Sequence, residues 1–130
     1  MKLKIDYGRL GDLQLRILKA LWARGAASVA EVRAALGSRR PLAYTTIATM
    51  LRKMEARGLV KHREEGRTFI YRAALGAEEV NRGAARRFVE RLFEGSVAGA
   101  VSHLLQTCDA SLEELEELER AIAEAKRRAK

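Results

Sequence analysis

The chain has 130 residues, one cysteine, one proline and a formal net charge of +8. That length suits one domain or two small ones, and the lone Cys108 excludes an intramolecular disulfide framework and a thiolate-built zinc or copper cluster. No apolar run approaches the ~18 residues that span a bilayer, and residues 1–6 alternate charge with Leu3 and Ile5 instead of opening a signal peptide, so we expect a cytoplasmic chain with no membrane insertion, cofactor or metal.

The charge is unevenly placed. Residues 1–75 hold 16 Lys/Arg against 6 Asp/Glu, a net of +10, and residues 76–130 hold 9 against 11, a net of −2. A basic excess confined to one half implies a polyanionic partner for that half, nucleic acid first among the candidates.

In chain order, Leu13, Ile17, Leu18, Leu21 and Trp22 recur at the spacing of one buried face, which predicts a helix from Asp12 to Arg24 stopped by Gly25. Trp22 reads as a core filler. Ser28 and Glu31 make a capping box for a short second helix whose inward face is Val29, Val32 and Leu36. Gly37 ends it, and Ser38-Arg39-Arg40-Pro41 is a basic turn, because proline pushes the residue before it out of helical geometry.

A third helix is predicted from about Ala43 to Arg57, with Ile47, Met50, Leu51 and Met54 forming an apolar stripe. Thr45, Thr46, Thr49, Arg52 and Lys53 recur on its other side. Threonine is a mediocre helix former, so three within five residues on a surface call for a reason other than stability. Reading base edges and phosphates in a major groove supplies one. After Gly58 the period becomes near-alternating through Leu59–Arg63 and Thr68–Arg72, which predicts a two-stranded hairpin with Gly66 in its turn and Arg67 placed to meet a phosphate.

The remainder reads as helices over residues 78–94, 96–105 and 111 to the C-terminal Lys126, Arg127, Arg128 and Lys130, with Gly95 between the first two and a second capping box at Ser111 and Glu114. About 50 residues of short helices cannot enclose a robust core alone. Phe88, Leu92, Val101, Leu104, Leu105, Leu112, Leu115, Leu118 and Ile122 are therefore expected to meet a second copy of the chain. The fold class expected is mainly α with a small β-hairpin: a winged helix-turn-helix over residues 1–75, then a helical dimerisation domain over 76–130. His62, His103 and Cys108 carry no surrounding catalytic motif, so no enzyme is expected. A winged-helix protein-interaction adaptor and a nucleoid-type DNA-binding protein are the alternatives.

The run Arg40-Pro41-Leu42-Ala43-Tyr44-Thr45-Thr46-Ile47-Ala48-Thr49-Met50-Leu51, continuing to Gly58-Leu59-Val60, resembles the BlaI/MecI family of penicillinase repressors. Leu10-Gly11-Asp12-Leu13 with Leu21-Trp22 resembles that family's first helix, and Ser111-Leu112-Glu113-Glu114-Leu115 its last. The resemblance implies a homodimeric winged-helix repressor on a palindromic double-stranded DNA operator. It also implies that Thr45, Thr46, Thr49 and Lys53 fall where relatives touch the operator. With the residues singled out above, the candidate DNA-contacting set is Arg39, Arg40, Ala43, Tyr44, Thr45, Thr46, Thr49, Arg52, Lys53 and Arg67. Ala48 stands where some relatives carry a longer basic side chain, so a different base preference is expected. Copper-responsive relatives carry paired cysteines that this chain lacks. Penicillinase-type relatives are inactivated by cleavage of an Asn–Phe bond, which makes a sensor protease a candidate partner, but the one asparagine here, Asn81, precedes Arg82.

Overall fold

The computed structural model describes residues 10–37 and 39–129. Leu3 and Ile5 near the start, Ser38 in the basic turn and Lys130 lie outside them. The order is α1 (Asp12–Arg24), β1 (Ala27–Ser28), α2 (Val29–Leu36), α3 (Tyr44–Ala56), β2 (Val60–Glu65), β3 (Thr68–Ala73), α4 (Ala77–Phe93), α5 (Val97–Thr107) and α6 (Leu112–Arg128). Packing divides the chain into two compact units, residues 1–88 and 89–130, so α4 belongs to both.

In the first unit, α1 has the predicted limits. The chain reverses at Gly25, whose φ of +84° is open to glycine at little cost and whose N–H donates to Leu21 O at 2.7 Å. Ser28 and Glu31 form the full capping box. The Ser28 hydroxyl accepts from Glu31 N at 3.1 Å and the Glu31 carboxylate accepts from Ser28 N at 2.9 Å. That Ser28 N–H is the main reason the Glu31 carboxyl sits below its ordinary 4.5, with the Ser28 hydroxyl and the nearby Arg24 adding to it.

The hairpin was expected to stand as two strands, but the sheet has three, in the order β1-β3-β2 and antiparallel throughout. Ala27 pairs with Tyr71 and Ser28 with Ile70. Two residues are too few to show a period of two, so the third strand left no pattern in the sequence. Between β2 and β3 the loop is Gly66-Arg67, closed by the Glu65–Thr68 pair. Gly66 has φ +62° and Arg67 is not among the residues with positive φ, the pattern of a type II′ turn, whose twist suits a hairpin.

The core lies where the three helices meet the sheet. Ile17, Leu18, Leu21, Val32, Ile47, Leu51 and Met54 are fully buried, as is Leu59 just before β2, and Val60 and Tyr71 bring in the sheet. Trp22 packs half-buried against this cluster and its indole N–H donates to Leu75 O at 2.8 Å, tying α1 to the segment after the hairpin. Val80 of α4 is also fully buried in this core, so the first unit reaches past the 75/76 boundary drawn from composition.

In the second unit, α5 runs two residues beyond the expected end at Leu105, and the Ser96 hydroxyl caps it by accepting from Gly99 N at 2.9 Å. At α6 the Ser111 hydroxyl accepts from Glu114 N at 3.1 Å, but the return half of that capping box is not made. Of the unit's apolar side chains only Ala100 is buried, while Leu112 is 71% exposed, Leu92 64% and Ile122 51%.

Two outcomes follow for stability. Leu51→Ala should cost about 2–5 kcal/mol, because a fully buried leucine leaves a cavity as well as losing transfer energy, and thermal melts of the first unit report it. The Glu31 carboxyl is held below its unfolded value, so its contribution is present above the unfolded value and fades as pH falls through the folded one. Wild type should therefore lose its thermal advantage over Glu31→Gln as pH falls from above the ordinary 4.5 to below it; a constant difference across that fall would refute the capping account.

Candidate nucleic-acid interface

Because Ile47, Leu51 and Met54 are drawn into the core, the opposite side of α3 is left bare by construction. Thr45, Thr46, Arg52 and Lys53 are exposed on it and Thr49 is half-buried beside them. Arg52 Nη2 donates to Thr49 Oγ1 at 3.4 Å, so the Thr49 hydroxyl already has one partner within the helix. Ala43 is the N-cap residue, with no side-chain cap, and Tyr44, 54% exposed, opens the first turn. Arg39 and Arg40 are exposed in the turn that leads into α3.

The wing stands against one flank of this helix. An open cleft of about 350 Å³ separates them, with Tyr44, Ala48 and Arg52 of α3 on one wall and Arg67, Phe69 and Tyr71 of the hairpin among those opposite. Arg67, at the hairpin tip, thus shares a hollow with Arg52. Arg39, Thr45, Thr46 and Lys53 are not among the residues that line it; they lie on the outer face of α3 or in the turn before it.

What fixes the wing's attitude was not legible in the sequence, where His62 was one unremarkable hairpin histidine. Its Nδ1 lies 2.7 Å from both carboxylate oxygens of Glu55, in the last turn of α3. An ionised Glu55 carboxylate only accepts, so with it the contact takes the His62 form that carries a proton on Nδ1. The same ring stacks on Phe69 with centroids 4.2 Å apart and leans on Tyr71 at 5.4 Å. The register explains this: His62 pairs with Tyr71 and Glu64 with Phe69, so His62 and both aromatic residues occupy one face of the hairpin. Burial and then the Glu55 charge push the Tyr71 hydroxyl above its ordinary value. Among the described residues no group of His, Cys, Asp and Glu could hold a metal ion.

The model of the penicillinase repressor family matches residues 10–124. The chain belongs to that family. It is 34% identical over 121 residues to the transcriptional regulator BlaI of Mycobacterium tuberculosis, spanning 89% of this chain and 84% of that one. It is 27% identical over 122 residues to the penicillinase repressor of Bacillus licheniformis, spanning 94% and 95%. Among solved structures it is similar to a homodimeric winged helix-turn-helix DNA-binding domain from Mycobacterium bovis, at 28% identity and a TM-score of 0.44 over 75% of this chain and 76% of that one. Family membership agrees with what the Arg40–Leu51 run implied, and the relatives are named as regulators, not as enzymes.

In this member of the penicillinase repressor family, the Glu55–His62 contact makes the wing dependent on the end of α3. His62→Ala removes a charge-assisted hydrogen bond and a ring stack together, a local loss of ~1.4 kcal/mol. Hydrogen exchange should then speed up about tenfold in β2 and β3 while amides in α1 keep their protection; uniform acceleration throughout the first unit would show that His62 supports the whole core instead.

Proposed function

We propose that the chain is a sequence-specific transcriptional repressor that binds a palindromic DNA operator as a homodimer and acts by occupancy, not catalysis. The observation that carries this is the division of α3: one side fully buried, the other presenting Thr45, Thr46, Arg52 and Lys53 to solvent beside an arginine-tipped wing. Short hydroxyl side chains and cations on a helix of 13 residues suit base edges and phosphates in a major groove about 12 Å wide. Charge supports the same reading, since residues 1–88 carry 19 Lys/Arg against 8 Asp/Glu.

The second unit supplies the pairing. Leu104, Leu105, Leu112, Leu118 and Ile122 are exposed large apolar side chains on two successive helices, with Val101 and Leu115 partly buried beside them. A second copy, offering the same stripes, covers them by symmetry. Leu92, in the part of α4 that belongs to this unit, is exposed as well, and Phe88, the last residue of the first unit, is 40% exposed in its own right. Two tethered readers then engage half-sites a helical turn, about 34–36 Å, or a multiple apart. No helix among the described residues is long and apolar enough to cross a membrane, and the operator places the working protein in the cytoplasm. A sensor protease as inducer, suggested by the family resemblance, would have to cut at a bond other than Asn–Phe.

Duplex affinity should fall with salt at a log–log slope of about −0.9 per phosphate neutralised, and Arg39→Ala with Arg40→Ala should weaken operator and random DNA alike. Thr46→Val should instead narrow the gap between operator and random DNA by about 1–3 kcal/mol; Thr49→Val should do so less, its hydroxyl being shared with Arg52. Both folded variants retaining full discrimination would remove α3 as the reader, and no affinity for any duplex at low salt would favour the adaptor reading. Residues 1–88 alone, the unit that keeps Val80, should sediment as a folded monomer and bind the operator about 10²–10⁴-fold more weakly than the whole chain. Equal affinity would assign the second unit another task.

A further inference from the structure

A smaller hollow, about 130 Å³, lies between α1, α2 and the turn into α3, and three arginines line it: Arg16 from α1, Arg33 from α2 and Arg40 from the turn. No carboxylate is among its described lining residues. Backbone carbonyls at the rim hold two of these cations in place. Arg33 Nε donates to Leu42 O at 2.6 Å and Arg16 Nη2 to Leu36 O at 3.3 Å. Each of those bonds commits one donor, and a guanidinium carries five. Like charges gathered round a hollow repel one another, and an anion seated there relieves that repulsion while accepting the remaining donors in the forked geometry that suits phosphate.

The position of the hollow narrows the choice of anion. Tyr44, Ala48 and Arg52 look into the wing cleft, where Arg67 waits, whereas Ile47 and the residues just before α3 border the arginine hollow. The start of one helix is thus flanked by two separate basic hollows. A helix lying in a major groove has a phosphodiester strand on either side of it. We propose that Arg16 and Arg33, together with Arg40, form a pocket for one backbone phosphate of the bound duplex, on the flank of α3 away from the wing. The proposal rests on the DNA-binding reading above. It assigns DNA contacts to α1 and α2, which no pattern in either helix announces. The chemistry recognised is a phosphate oxyanion, and a soluble phosphate is its other possible source.

Duplex titrations across salt with the full-length wild type, Arg16→Gln, Arg33→Gln and Arg16→Lys test this, with circular dichroism to verify folding. Each Gln variant should lower the magnitude of the log–log slope by about 0.9 and weaken operator and random duplex by the same factor, while Arg16→Lys keeps the slope. Ethylation of one operator phosphate that impairs the wild type should cease to matter for Arg16→Gln. Arg16→Gln decides the matter even if Arg33→Gln fails to fold, because its one bond in the fold is the longer, 3.3 Å contact. A folded Arg16→Gln with wild-type slope and an unchanged ethylation pattern overturns the pocket and leaves the DNA-binding reading standing. A wild type that binds no duplex at low salt overturns the reading itself. Saturable binding of inorganic phosphate without DNA, with duplex slopes unchanged in the Gln variants, makes the hollow a soluble-anion site and likewise overturns the assignment.

Discussion

Everything the first unit does depends on α3 being committed on one side only. Ile47, Leu51 and Met54 are fully buried against α1, α2 and the sheet, and because a helix repeats every 3.6 residues, that commitment fixes which side chains are left outside. The threonines and cations do not have to be held outward by contacts of their own. Their direction is set by the hydrophobic energy on the far side, which amounts to several kcal/mol for three such residues. A helix face set in this way is left with few structural duties; among the described residues it makes the Arg52–Thr49 hydrogen bond.

The wing is placed by different physics. It has little apolar area with which to anchor itself, and beyond Val60, His62, Ile70, Tyr71 and Ala73 its residues are exposed. Its attitude comes from specific contacts: backbone pairing to β1 on one edge and the Glu55–His62–Phe69 assembly on one face. Hydrophobic packing thus sets α3, and directional bonds set the hairpin beside it. The two can differ in mobility without either losing its shape.

Most of the first unit was legible in the sequence because its signals are local. Asp12 through Gly25 carries a clean helical period and a stop, Ser28 with Glu31 is a reciprocal cap, and Gly66 marks the hairpin turn; each became the expected element. What escaped depends on distant parts of the chain meeting. The strand Ala27–Ser28 exists only because β3 runs beside it. Val80 joins the first core although composition assigned it to the other half. Glu55 and His62 are seven residues apart and meet only because Gly58 turns the chain and the register puts His62 on the inner face. Arg16, Arg33 and Arg40 come from three segments, and nothing in any one of them signals the other two.

Ser28 is both the last residue of β1, paired with Ile70, and the N-cap of α2. One residue therefore closes a sheet edge and opens a helix, with no spacer between them. An extra residue there would break the strand pairing and the capping box together, since neither could shift without dragging the other. At the Gly66-Arg67 tip the chain meets only solvent and the open cleft. Insertions and deletions in the course of evolution should therefore accumulate at the tip of the wing and be purged at its root, so that wing reach varies among descendants of this sequence while its point of attachment does not.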